Sequence, residues 1–134
     1  MTMLRGIEGI GEVFMSKLKE AGVYNTKQLL RAGATPAGRK ELSEKTGLSE
    51  AQILKWVNRA DLMRIRGIGE EYSDLLEMAG VDTVVELAQR NASNLHQKLL
   101  EINEEKKLVR RVPALKMVRY WIERAKKLPR IVTY

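Results

Sequence analysis

The chain has 134 residues, enough for one domain or two small repeated units. It holds no cysteine and no apolar run near the ~18 residues of a membrane span, which excludes disulfide frameworks, thiol chemistry and a helical membrane protein. The net charge is +7, yet residues 1–102 balance 14 Lys+Arg against 14 Asp+Glu, whereas residues 103–134 carry 10 against 3.

The basic excess is therefore C-terminal. It suits an anionic partner for that end, or equally a solvated helical face that keeps a small protein soluble. The opening stretch MTMLRGIEGIGE lacks the apolar centre of a signal peptide, so a cytoplasmic location is the expectation.

In chain order, Ile7-Glu8-Gly9-Ile10-Gly11 is a glycine turn leading into a helix over 12–21. Phe14, Leu18 and Ala21 share one face of that helix, and Gly22 stops it. Asn25-x-x-Gln28 is a capping-box pattern that opens a short helix, ended by Gly33. Thr35-Pro36 reads as an N-cap followed by proline at the first helical position, so a helix runs from there to about 46 and stops at Gly47. Ser49-x-x-Gln52 opens the next helix, with Ile53, Val57 and Ala60 on one stripe, and Asp61 caps a short turn beyond it.

A second glycine turn follows at Ile65-Arg66-Gly67-Ile68-Gly69. A helix is predicted over 70–79 with Gly80 as its stop, and Thr83-x-x-Glu86 opens another. Ser93 caps a helix to about 102. A basic, loop-like run over 103–112 precedes a last helix that starts at Pro113 and ends before Pro129. That helix places Leu115, Val118, Ile122 and Ala125 on one stripe with Trp121 beside it. Residues 129–134 read as a tail. No useful stretch alternates with period two, so no sheet is expected and the fold class is all-α.

The elements repeat. At an offset of 58, Ile7, Gly9, Ile10, Gly11 and Glu12 match Ile65, Gly67, Ile68, Gly69 and Glu70. Phe14 matches Tyr72, and Ala21-Gly22-Val23 matches Ala79-Gly80-Val81. Near the unit ends the offset is 65, where Trp56-Val57 answers Trp121-Ile122, so about seven residues enter the second copy within 103–112. Two tandem units follow, 1–61 and 62–128, packed as one helical domain. Trp56 and Trp121 sit on apolar stripes and are expected in the core.

The pattern of an apolar residue, a spacer and Gly-Ile-Gly, then a helix with an aromatic and a leucine four apart, then Ala-Gly-Val, resembles the helix-hairpin-helix motif of many DNA-processing proteins. The resemblance covers residues 3–30 and 61–88 and places the fold among SAM/helix-hairpin-helix-like domains. Over its full length the chain resembles a small prokaryotic family known only as a domain of unknown function. The residues behind that likeness are Gly33-Ala34-Thr35-Pro36-Ala37-Gly38-Arg39, Trp56 to Leu62 and Gly80 to Val84.

The helix-hairpin-helix resemblance implies sequence-independent DNA binding. Backbone N–H groups near Gly9, Gly11, Gly67 and Gly69 would meet phosphate oxygens at helix N-termini, and in some members hairpin carbonyls hold a monovalent cation. This chain departs from that pattern, because Glu12, Glu70 and Glu71 open the following helices. Such carboxylates satisfy the helix dipole and repel phosphate, so a purely packing role for the glycines stands beside the binding one. Arg64 and Arg66 on the second approach partly offset the acids.

Thr35-Pro36-Ala37-Gly38 reads as a degenerate third hairpin, with Arg39 and Lys40 where the others carry glutamate. Lys106, Lys107, Arg110 and Arg111 form the best candidate for flexible phosphate contact. On the last helix, Glu123 is spaced to neutralise Arg119 and Lys127. The single histidine, His96, the absence of cysteine and the lack of paired carboxylates at ligand spacing indicate neither a metal site nor acid–base catalysis. Asp82 is the one aspartate placed as base-excision enzymes place theirs, and it also suits an ordinary turn. The expected function is non-catalytic nucleic-acid binding. The alternative is a protein-interaction module whose basic end docks an acidic partner.

Overall fold

The computed structural model describes residues 10–134. Among these the protein is all-helical, with no strand. The helices are α1 (Glu12–Glu20), α2 (Thr26–Ala32), α3 (Pro36–Thr46), α4 (Glu50–Leu62), α5 (Glu70–Met78), α6 (Val84–Ala88), α7 (Ala92–Lys106) and α8 (Leu115–Lys126). Two compact units divide the chain. The first holds the described residues up to Asp61 together with Ile131–Tyr134, and the second spans Leu62–Arg130.

The ends of α1 and α5 show how closely the repeated sequence repeats in geometry. Gly22 and Gly80 both adopt φ +86°. Gly22 N–H donates to Lys19 at 3.0 Å and Val23 N–H to Leu18 at 2.9 Å; Gly80 N–H donates to Glu77 and Val81 N–H to Leu76, both at 2.9 Å. This is the double closure of a Schellman turn, in which the left-handed residue lets the chain satisfy otherwise orphaned carbonyls. The valine that follows each glycine is buried with the leucine it bonds to, so each turn is also a packing contact.

The side-chain caps agree in part with their sequence signals. Asn25 accepts from Gln28 N–H at 2.9 Å, and Gln28 Oε1 reaches back one residue past the cap to accept from Tyr24 N–H at 2.7 Å, a reciprocal pair close to a capping box. In the second unit only the reach-back bond forms: Asp82 N–H, one residue before the cap, donates to Glu86 Oε2 at 3.1 Å, and Thr83 makes no capping bond and is buried. Asn91, not Ser93, caps α7, accepting from Asn94 N–H at 3.0 Å. Helix α7 also runs four residues further than expected, to Lys106. Asp61 lies within the last turn of α4 and is buried.

In unit one, α3 packs on α1 and α2. Leu18, Leu29, Ile53, Trp56 and Val57 are fully buried, each worth about 1.5–3 kcal/mol relative to exposure. In unit two, α8 packs on α6 and α7, and α5 on α7. The buried set there includes Leu76, Val84, Leu87, Leu99, Val118 and Trp121. Both tryptophans are in the core, as their stripes require.

The last four residues are not a tail. Val132 is buried, and Thr133 N–H donates to Ala34 O at 2.8 Å. Arg39 completes the closure: its Nη1 donates to Gly33 O at 2.8 Å and its Nη2 to Thr133 O at 2.7 Å. A guanidinium only 5% exposed is tolerated here because carbonyls take its protons. Replacing Arg39 by Ala leaves two carbonyls without their charged donor. Denaturant unfolding should show a loss of about 2–4 kcal/mol, with partial recovery in Arg39→Lys.

Candidate nucleic-acid interface

Of the first glycine turn, Gly9 lies outside the described residues. Gly11 is exposed, adopts φ −88° and precedes α1 without any side-chain cap, so Met15 N–H to Gly11 O at 2.9 Å is the first bond of the helix.

The second turn is described in full. Gly67 has φ +97°, a conformation that glycine alone adopts without cost. A β-carbon at Gly67 would come within 3.2 Å of Trp121 Nε1, so the turn rests directly on the indole. Trp121 is fully buried, and its N–H meets no acceptor among the described residues; the same holds for Trp56. Tyr72 packs on Trp121 with ring centroids 5.4 Å apart, and its hydroxyl donates to Arg111 O at 3.0 Å. Phe14 meets Trp56 in the same way at 5.6 Å, without a hydroxyl to reach further.

The basic run is tied to the rest of unit two by hydrogen bonds. Asn103 holds it from both sides: its Nδ2 donates to Val109 O at 3.0 Å and its Oδ1 accepts from Val109 N–H at 2.9 Å. Val109 is buried beneath, while Lys106, Lys107, Arg110 and Arg111 all face solvent. Gly67, Trp121, Tyr72 and Arg111 form a continuous line of contact, which brings the glycine turn and the basic loop to one end of unit two.

Helix α5 begins at that end with Gly69 as its N-cap, in extended backbone and with no side-chain cap. Its first-turn N–H groups have no intrahelical acceptor, which is the usual condition of a helix start. Glu70 and Glu71 occupy the first turn, where their charge favours the dipole and opposes an anion.

Three expected site residues are committed elsewhere. Arg39 is buried against backbone carbonyls, and Gly38 N–H donates to Thr35 Oγ1 at 3.1 Å as an ordinary helix cap. A β-carbon at Gly38 would collide with Ala32 O, so this glycine serves close backbone packing. Arg64 Nη2 donates to Pro129 O at 2.9 Å. Lys40 is exposed in unit one; Arg66, Gly67 and Gly69 are exposed in unit two. Among the described residues, the side chains of Arg66, Lys106, Lys107, Arg110 and Arg111 make no ion pair or hydrogen bond.

A model described as a domain of unknown function (DUF4332) matches residues 8–128. The chain belongs to the DUF4332 family. No curated protein and no solved structure matches it.

The outer face of α8 in this DUF4332 domain escaped the sequence reading. Tyr120 is 46% exposed and Met117 39%, with Lys116, Arg124 and Lys127 around them. Glu123 pairs with Lys126 at 3.3 Å, not with the Arg119 or Lys127 that spacing suggested. A signal was available: Met117 and Tyr120 stand off the apolar stripe of their helix. On the opposite flank, an open recess of about 370 Å³ is lined by Arg90, Asn91, Arg119, Glu123 and Lys126, and Arg90 Nη2 donates there to Gly80 O at 3.1 Å.

No three His, Cys, Asp or Glu side chains among the described residues group as metal ligands, and no described helix is long and apolar enough to cross a membrane. The carboxyl of Asp82 is pushed above the usual aspartate range by burial first, then by the charges of Glu86 and Glu77. A raised folded-state value means that protonated Asp82 favours the fold and that this contribution is lost as pH rises through the raised value. Asp82→Asn should therefore raise the melting temperature at neutral pH, and the gain should vanish as pH falls below about 4. Gly67→Ala should cost about 1–2 kcal/mol of stability in denaturant unfolding, from positive φ and contact with Trp121.

Proposed function

We propose that this DUF4332 domain binds nucleic acid without sequence preference, using unit two. The observation that carries the reading is the line from Gly67 through Trp121 and Tyr72 to Arg111. It sets an uncapped helix start beside a held loop with four exposed, unpaired cations, and Arg66 adds a fifth on the turn itself. Cations without protein partners can neutralise phosphates and release counterions, and backbone N–H groups of the turn add contacts that read no base. This agrees with the helix-hairpin-helix likeness of the two glycine turns. The role is one of binding, not catalysis.

Glu70 and Glu71 weaken the helix start as an anion site. The basic loop therefore carries most of the affinity in this reading, and the glycine turn positions. Unit one contributes less in this reading, because Arg39 is spent on its own fold and leaves Lys40 as the exposed cation of the Thr35-Pro36-Ala37-Gly38 turn.

Anisotropy of a labelled duplex across a salt series tests this. Binding at ~50 mM salt is expected, with affinity falling steeply as salt rises. Arg110→Gln/Arg111→Gln should flatten the log–log slope by about 2. Absence of binding to any nucleic acid at low salt, together with salt-resistant capture of a defined acidic protein, would favour the docking alternative.

A further inference from the structure

Phosphate contact at the turn and the basic loop leaves the outward face of α8 without a role. Tyr120 lies three residues beyond Met117 and four before Arg124, so the three side chains form one row along the helix. Trp121 is four residues beyond Met117 and three before Arg124, and so borders the same row. Gly67 rests on Trp121, which puts the row on the glycine-turn flank of α8. Lys116 and Lys127 extend it at either end. The one carboxylate of α8, Glu123, lies three residues beyond Tyr120, on the side of the row away from Trp121, and its charge is paired with Lys126.

Tyr120 is 46% exposed, and of the cations around it Lys116, Arg124 and Lys127 form no ion pair among the described residues, since Glu123 pairs with Lys126; an exposed ring between cations suits stacking on a base with phosphates on either side. We propose that this row selects single-stranded over duplex nucleic acid, Tyr120 stacking on an unpaired base while Lys116, Arg124 and Lys127 meet the neighbouring phosphates. The inference rests on the nucleic-acid reading above and names its substrate class. In a duplex, both faces of each base are covered by its neighbours, so a ring on the convex side of a helix finds no free π-face and only the cations engage. A single strand offers its bases unstacked, and each gains from the aromatic surface whatever its sequence.

The test uses the full chain with labelled oligothymidylate and, separately, a labelled duplex of equal length. Wild type should bind the single strand more tightly. Tyr120→Ala should weaken single-strand binding about 10-fold and leave duplex binding within about 2-fold, and Tyr120→Phe should retain the wild-type preference. Equal losses on both probes, or no loss on either, would overturn the stacking role. Duplex binding without single-strand preference would overturn this inference and leave the broader reading intact; no binding to either probe would remove both. Tyr120-dependent binding of an acidic peptide in place of oligothymidylate would assign the row to a protein partner and overturn the inference.

Discussion

Trp121 can lie against the second glycine turn because Gly67 has no side chain and takes a positive φ. A side chain there would meet the indole and force the turn outward. Aromatic groups of this kind bury ~150–250 Å² each, or about 4–6 kcal/mol of gross transfer energy at the usual coefficient. Tyr72 lies against the same indole and fixes Arg111 through its hydroxyl. Residues far apart in sequence thus meet at one end of unit two through a single buried ring. The position of the basic loop depends on that ring as much as on the loop's own sequence.

Charge in this protein is divided by burial. A guanidinium removed from water must find acceptors, and backbone carbonyls at chain turns supply them. Arg39 holds the end of α2 to Thr133, Arg64 holds Pro129, and Arg90 reaches Gly80. These arginines close the fold of their own units. By contrast Arg66, the four cations over 106–111 and Lys116, Arg124 and Lys127 of α8 are exposed and make no ion pair or hydrogen bond among the described residues. The glutamates that open α5 fit the same division, since they serve the helix dipole at the place where a phosphate would otherwise be most welcome.

The two units share a plan and differ in one consequential detail. Each packs an aromatic from its first helix against a tryptophan from its last, Phe14 on Trp56 and Tyr72 on Trp121. Only the second aromatic carries a hydroxyl, and only the second unit has an inserted loop for it to bind. Asn103 then ties that charge-rich run to the end of α7 with two hydrogen bonds to Val109.

The sequence by itself determined the all-helical class, the stops at Gly22, Gly47 and Gly80 and the repeat, because these follow from local rules: glycine at left-handed positions, Asn25 and Thr35 at caps, proline at a first turn and apolar residues at helical spacing. It also marked Trp56 and Trp121 as core. It could not say that Arg39 is buried, because the carbonyl of Thr133 that it meets lies 94 positions away. Nor could it tell that Val132 belongs to the first core, that Asn103 ties down the 103–112 run, or that Glu123 pairs with Lys126 and leaves Lys116, Arg124 and Lys127 unpaired among the described residues. Charge and spacing are local properties, whereas the partner of a charge is chosen by whichever acceptor the folded backbone brings within about 3 Å, and only the tertiary structure makes that choice.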